Sequence, residues 1–134
     1  MKTIRILNLE DSEADSDLIF RLVKKGGFEP QWLRVETRLG YELAVREQDW
    51  DLIISDYMLP DMTGIEALEI LNETEKDIPF IIISGTIDQD TAVKAMRLGA
   101  GDYILKDDLP RLVPAIRREL KEAAMRVKLV VCYG

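Results

Sequence analysis

The chain of 134 residues, 47% of them apolar, fits one domain with its own core and is too short for two. A net charge of −7 with no long basic run argues against nucleic acid or an anionic membrane as a direct partner, and leaves any phosphate ligand in need of a cation. Histidine is absent and Cys132 is the single cysteine, which excludes histidine triads, histidine or cysteine-cluster metal sites, an internal disulfide and a phosphohistidine within the chain. No apolar run reaches about 18 residues, and Met1 to Leu7 leads into a strand pattern without a signal peptide's apolar core. A cytoplasmic protein with no membrane insertion is expected.

From Thr3 to Leu9 the residues Ile4, Ile6, Leu7 and Leu9 mark a first strand, and Ser12-x-x-Asp15, directly after Glu10-Asp11, is a capping box that starts a helix. Leu18, Leu22 and the neighbouring Ile19 and Val23 are expected to form its apolar face, and Gly26-Gly27 supply the permissive φ that ends it. Gln31 to Val35 reads as a second strand, and Leu39 to Glu47, through Leu39, Leu43 and Ala44, as a short second helix. Next, Leu52-Ile53-Ile54 is too short for a helix and bounded by polar residues, so it reads as a strand buried on both faces, with Asp56 at its carboxyl end.

Pro60 and Gly64 bracket a turn, and Thr63 with Glu66 makes a capping box for a third helix carrying Ile65, Leu68 and Leu71 or Ile70. Pro79 opens Phe80-Ile81-Ile82-Ile83 as a fourth buried strand ending at Ser84-Gly85. Asp88 caps a fourth helix through Ala92, Val93 and Met96 to Leu98, closed by Gly99, and Asp102 to Leu105 is a fifth strand ending at Lys106. The last helix carries Val113, Ile116, Leu120 and Ala123 or Ala124 on one face. A proline inside a helix costs about 3 kcal/mol, so that helix starts near Leu112 or kinks at Pro114, with the preceding turn a separate piece. Leu129-Val130-Val131 pairs with nothing by pattern, so the domain is expected over residues 1–127, with 128–134 a C-terminal tail that packs elsewhere or marks a chain cut from something longer.

Strands alternating with helices imply a parallel sheet, and right-handed crossovers make the economical fold a three-layer, doubly wound α/β domain. A parallel sheet puts every strand's carboxyl end on one edge, so Glu10, Asp11, Asp56, Ser84 and Lys106 come to one crevice from four strands. Three crowded carboxylates repel one another unless a cation intervenes, and Mg²⁺, a hard ion that keeps several waters, fits oxygen ligands of this kind. A metal and a lysine beside an unencumbered carboxylate suit phosphoryl transfer. Mg²⁺ and Lys106 would neutralise the transferred group's equatorial oxygens, Ser84 would donate a hydrogen bond to one of them, and Asp56 would be the nucleophile that forms an acyl phosphate. An ionised carboxylate needs no general base, which accords with the absence of histidine.

On these residues the chain resembles the receiver domains of two-component response regulators, the CheY-like family, from residue 3 to about residue 126. The acidic pair after the first strand matches Glu10-Asp11, the phosphoacceptor pattern Asp-x-x-(Met/Leu)-Pro matches Asp56 to Pro60, the hydroxyl residue followed by a small one matches Ser84-Gly85, the aromatic switch matches Tyr103, and the lysine matches Lys106. The resemblance implies a five-stranded sheet of order 2-1-3-4-5, a metal ligand from the backbone carbonyl of Met58, and a histidine kinase or phosphotransfer protein as phosphodonor. It also implies an output face on the fourth helix, fifth strand and fifth helix, read by a downstream protein or by a second copy in a homodimer. One departure stands out: Asp107 replaces the proline that usually follows the lysine through a cis bond. A cis bond to a non-proline residue costs about 3 to 4 kcal/mol, so a trans bond and a reshaped 106–111 loop are expected. The Ser-Gly-Thr and Lys-Asp variants lean towards receivers in or beside PAS-containing sensor histidine kinases.

Two other functions compete. A receiver that no longer turns over phosphate would act as an interaction module, against which Asp56, Lys106 and the acidic pair all speak. A flavodoxin-like or dehalogenase-like enzyme fares worse, because Glu10-Asp11-Ser12-Glu13 stands where a glycine-rich phosphate loop would be and Met58 where such a phosphatase places its second aspartate. The chain is therefore expected to catalyse only its own phosphorylation and dephosphorylation.

Overall fold

A computed structural model describes residues 2–86 and 88–133, the side chains of 128–133 excepted. Its strands are β1 (Lys2–Leu9), β2 (Phe28–Val35), β3 (Leu52–Asp56), β4 (Phe80–Ser84) and β5 (Asp102–Leu105). They pair in parallel in the order β2-β1-β3-β4-β5, as the resemblance implies. The helices are α1 (Glu13–Lys25), α2 (Arg38–Glu47), α3 (Gly64–Glu73), α4 (Gln89–Arg97) and α5 (Leu112–Tyr133), with a 3₁₀ segment at Lys106–Arg111 before the last.

Alternation along the strands divides the core between two faces, because successive side chains point to opposite sides of a sheet. Ile4, Ile6, Leu52, Ile54, Ile81, Ile83 and Ile104 pack on one side against Ile19 and Val23 of α1 and Leu112, Ala115 and Ile116 of α5. Leu7, Leu9, Ile53, Phe80 and Ile82 pack on the other against α2, α3 and Ala95 of α4. Every residue of β3 and β4 is buried, as their unbroken apolar runs require. Pro30 is tolerated in β2 because that strand lies at the sheet edge.

In three helices the inward face matches only in part the one their apolar residues suggested: Ile19 and Val23 of α1 and Ala44 of α2 are buried as expected. In α1 Ser16, Ile19 and Val23 are buried while Leu18 is exposed. In α2 the inward face is Tyr41, Ala44 and Val45, with Leu39 and Leu43 in solvent. The Tyr41 hydroxyl explains that choice, since it donates to the Ala67 carbonyl at 2.7 Å and lets an aromatic ring be buried whole. In α4 only Ala95 is buried, and Val93 and Met96 stand about half exposed.

Helix ends follow local chemistry. The Thr63 and Glu66 capping box has both of its bonds. Ser12 caps α1, and the positive φ there belongs to Gly27, not to Gly26. Pro114 falls in the first turn of α5, where amides lack helical acceptors, so the helix begins at Leu112 without a kink there. Among the described residues there is no cis peptide bond, and the segment after Lys106 is the 3₁₀ turn. The α5 backbone continues to Tyr133, while the side chains of the apolar 129–131 run lie outside the described residues. No helix among the described residues is long and apolar enough to cross a membrane.

Candidate functional site

Parallel pairing brings the carboxyl ends of β1, β3, β4 and β5 to one rim, with Asp56 opposite Ile83 and Ser84 opposite Leu105 in the register. Carboxylate oxygens of Glu10, Asp11 and Asp56 all lie within 4.8 Å of one another. Glu10 and Asp56 are buried and Asp11 is exposed, so the cluster is a half-open nest with one solvated wall. Three oxygen donors at this spacing suit a hard divalent cation.

Burial pushes the Glu10 carboxyl up to about 7; the Ser12 backbone amide, which donates to Glu10 Oε2 at 3.1 Å, opposes that shift and the Asp56 charge adds to it. Lys106 answers part of this charge. Its ammonium donates to Asp56 Oδ2 at 3.4 Å and to Asp15 Oδ2 at 3.3 Å. Burial alone would depress the Lys106 ammonium, but Asp56, Glu10 and Asp15 outweigh it and hold the group above its ordinary value.

The α3 end of the site is built by close backbone approach. Gly64 donates its amide to the Tyr57 carbonyl at 2.7 Å, and a Cβ there would sit 3.0 Å from the Asp56 carbonyl oxygen. Met58 bridges to Thr63 across the same loop while its side chain stays 65% exposed. The Ser84 hydroxyl is buried and turned to its own loop, donating to the Thr86 carbonyl at 3.2 Å and accepting the Thr86 amide at 3.3 Å. The Tyr103 ring packs against the core 6.5 Å from Tyr57, with its hydroxyl buried and without a hydrogen-bond partner among the described residues.

Glu10, Asp11, Asp56 and Lys106, the residues singled out in the sequence, thus meet at one place, while the Ser84 hydroxyl faces Thr86 and Tyr103 lies over the adjoining core. Asp15 was read only as the far half of a capping box. The signal that could have found it is its place in the first turn of a helix starting directly above the strand ends.

The acidic crevice and the lysine lie at the carboxyl edge of a doubly wound α/β sheet, where domains of this class place their binding sites. The chain belongs to the response regulator receiver domain family, whose model matches residues 6–117. It is 34% identical over 128 residues to the cell cycle transcriptional regulator CtrA of Caulobacter vibrioides, covering 92% of this chain and 54% of that one. The receiver domain of a LuxO repressor protein from Vibrio parahaemolyticus superposes with a TM-score of 0.83 at 28% identity, covering 96% of this chain and 98% of that one. The receiver domain of the sensor histidine kinase PA1611 from Pseudomonas aeruginosa, which has a magnesium ion in its active-site cleft, shares the fold with a TM-score of 0.75 at 20% identity, covering 89% of this chain and 98% of its own. The chain spans about half the length of curated relatives such as CtrA and the phosphate regulon regulator PhoB of Escherichia coli. It is a two-component receiver domain with the CheY-like fold.

Proposed function

We propose that Asp56 accepts a phosphoryl group from the phosphohistidine of a histidine kinase or phosphotransfer protein. An Asp56 Oδ attacks phosphorus and the P–N bond breaks, its electron pair remaining on the departing ring nitrogen; neutral imidazole leaves because the other ring nitrogen carries a proton or the departing one takes one up. The observation that carries this reading is the Lys106 ammonium 3.4 Å from Asp56 Oδ2, at the edge of the nest in which Glu10, Asp11 and Asp56 oxygens lie within 4.8 Å. Glu10, Asp11, Asp56 and the Met58 backbone carbonyl are the groups that would hold Mg²⁺. When bound, Mg²⁺ supplies charge neutralisation for the acceptor and the transferred group. Lys106 contributes a second positive charge to the equatorial oxygens, and Ser84 donates its hydroxyl once released from Thr86.

Phosphorylation then shifts a two-state equilibrium of the face formed by α4, β5 and α5. Two features favour this. Helix α4 has one buried side chain, Ala95, so little packing resists its movement, and the buried Tyr103 hydroxyl, without a partner among the described residues, penalises the inward ring position. A downstream protein, or a second copy of the chain, reads that face, in the cytoplasm and without direct contact to nucleic acid. Incubation with a phosphodonor and Mg²⁺ followed by intact mass measurement tests the reading. Wild type gains one phosphoryl group and Asp56→Asn gains none; equal gain in both would end it.

A further inference from the structure

The Ser12-x-x-Asp15 spacing predicts a carboxylate that returns to the Ser12 amide and closes the box. The structure spends that carboxylate elsewhere. Ser12 Oγ accepts the Asp15 amide at 3.2 Å, but the Ser12 amide donates to Glu10 Oε2 at 3.1 Å, which leaves the Asp15 side chain free to meet Lys106. The lysine ammonium stands 3.3 Å from Asp15 Oδ2 and 3.4 Å from Asp56 Oδ2. Both are longer than the about 2.7 to 2.9 Å of a settled charge-assisted hydrogen bond, so the ammonium is shared between two anions. Among the described residues its side-chain hydrogen bonds go to these two carboxylates, and the recess beside it, about 100 Å³, is lined by Leu18, Ile19, Ile83 and Leu109 along with Asp15 and Lys106 themselves.

The geometry points to Asp15 as a positioning residue for Lys106, one that holds the ammonium back from Asp56 and so restrains its commitment to an incoming phosphoryl group. This rests on the phosphoacceptor reading of Asp56. The two claims on the lysine are unequal: the Asp56 side chain is 10% exposed and the Asp15 side chain 45% exposed. The solvated contact is the cheaper to give up, so added negative charge on Asp56 draws the lysine across. Until then Asp15 opposes phosphoryl uptake twice, by retaining part of the lysine and by presenting a negative charge to an anionic donor at the open side of the site.

The test uses Asp15→Asn, Asp15→Glu and Asp56→Asn in the full chain. In metal-free protein, Asp15→Asn moves the Lys106 Nζ nitrogen resonance and Asp15→Glu restores it; an unmoved resonance overturns the sharing. With subsaturating acetyl phosphate and Mg²⁺, Asp15→Asn takes up phosphoryl about three- to tenfold faster, the scale of one unit charge in a water-rich dielectric, and Asp15→Glu returns to within about twofold of wild type. A rate in Asp15→Asn that is unchanged or slower, in a wild type that is phosphorylated on Asp56, overturns this inference alone. A wild type that gains nothing ends the phosphoacceptor reading and this inference with it.

Discussion

Lys106 reaches Asp56 across the end of the strand that separates theirs: β4 lies between β3 and β5, yet Nζ stands 3.4 Å from Asp56 Oδ2. The lysine stem passes over Gly85, which follows β4; a Cβ there would lie 3.9 Å from the lysine Cδ, in ordinary contact with the stem. Lys106→Gln keeps a side chain of similar reach but removes the charge. Loss of one such electrostatic contact is expected to slow phosphoryl uptake by about a hundredfold or more. Uptake followed by intact mass, in a variant whose unfolding curve matches wild type, checks this; a loss below about tenfold would remove the lysine from the reacting centre.

The acidic nest makes a prediction about stability and pH. The Glu10 carboxyl, raised mainly by burial, titrates near 7 in the folded chain and near 4.5 when unfolded. Between those values the folded chain binds more protons than the unfolded one, so the stabilisation from this group is complete below about pH 4.5 and is lost as pH rises through about 7. At about 1.4 kcal/mol per pH unit of displacement, the loss is about 3.5 kcal/mol at most. Urea unfolding in a chelator at about pH 5 and about pH 8 should show wild type losing stability over that range relative to Glu10→Gln. Parallel behaviour of the two proteins would mean that Glu10 is already ionised in the folded chain.

A second buried polar group ties the site's first strand to its neighbours. Ser16 Oγ donates to Asn8 Oδ1 at 2.6 Å and accepts from Trp32 Nε1 at 3.0 Å, while Asn8 Nδ2 donates to the Ile54 carbonyl at 3.0 Å. Helix α1, both strands beside β1, and β1 itself are joined by this chain of bonds. Ser16→Ala leaves one acceptor and one donor without partners and should cost about 1 to 3 kcal/mol. Its effect is expected to exceed that of Ser12→Ala, whose cap sits in partial solvent; the reverse order in denaturant midpoints would rule the network out as a source of stability.

The buried Tyr103 hydroxyl has no partner among the described residues, so removing it should help rather than harm. Tyr103→Phe relieves a desolvation penalty of about 1 to 3 kcal/mol and is expected to raise the denaturant midpoint. It should also hold the ring inward against Tyr57, which aromatic proton shifts would report. A clear loss of stability would reveal a hydrogen bond to that hydroxyl.

The strand pattern was legible because a buried parallel strand writes itself as a short apolar run, and Leu52 to Ile54 and Phe80 to Ile83 both do. Caps were legible where chemistry is local, as at Thr63 and Glu66. The helix faces were less so. Leu39 and Leu43 outrank Tyr41 as greasy residues, yet a distant partner, the Ala67 carbonyl, decides that Tyr41 goes inward. For the same reason the site's acidic pair and lysine could be placed from topology alone, whereas Asp15 could not: its carboxylate had two acceptable destinations, and only the folded position of Glu10 beside the Ser12 amide selects Lys106.

The lifetime of the acyl phosphate should follow from the residues beside Asp56. Water attacking the phosphorus needs a group to orient it, and Met58, 65% exposed next to the acceptor, is neither an acid nor an amide. Thr86 on the other side is also exposed, and its backbone amide and carbonyl are engaged with Ser84. Self-dephosphorylation with Mg²⁺ present is therefore expected to be slow, with a half-life of minutes or longer. Met58→Asn supplies a side chain able to hold the attacking water and should shorten that half-life several-fold while leaving the fold intact, since the Met58 side chain contributes little to the core. A wild-type half-life of seconds, followed by loss of the added mass over time, would show that some other group already orients the water.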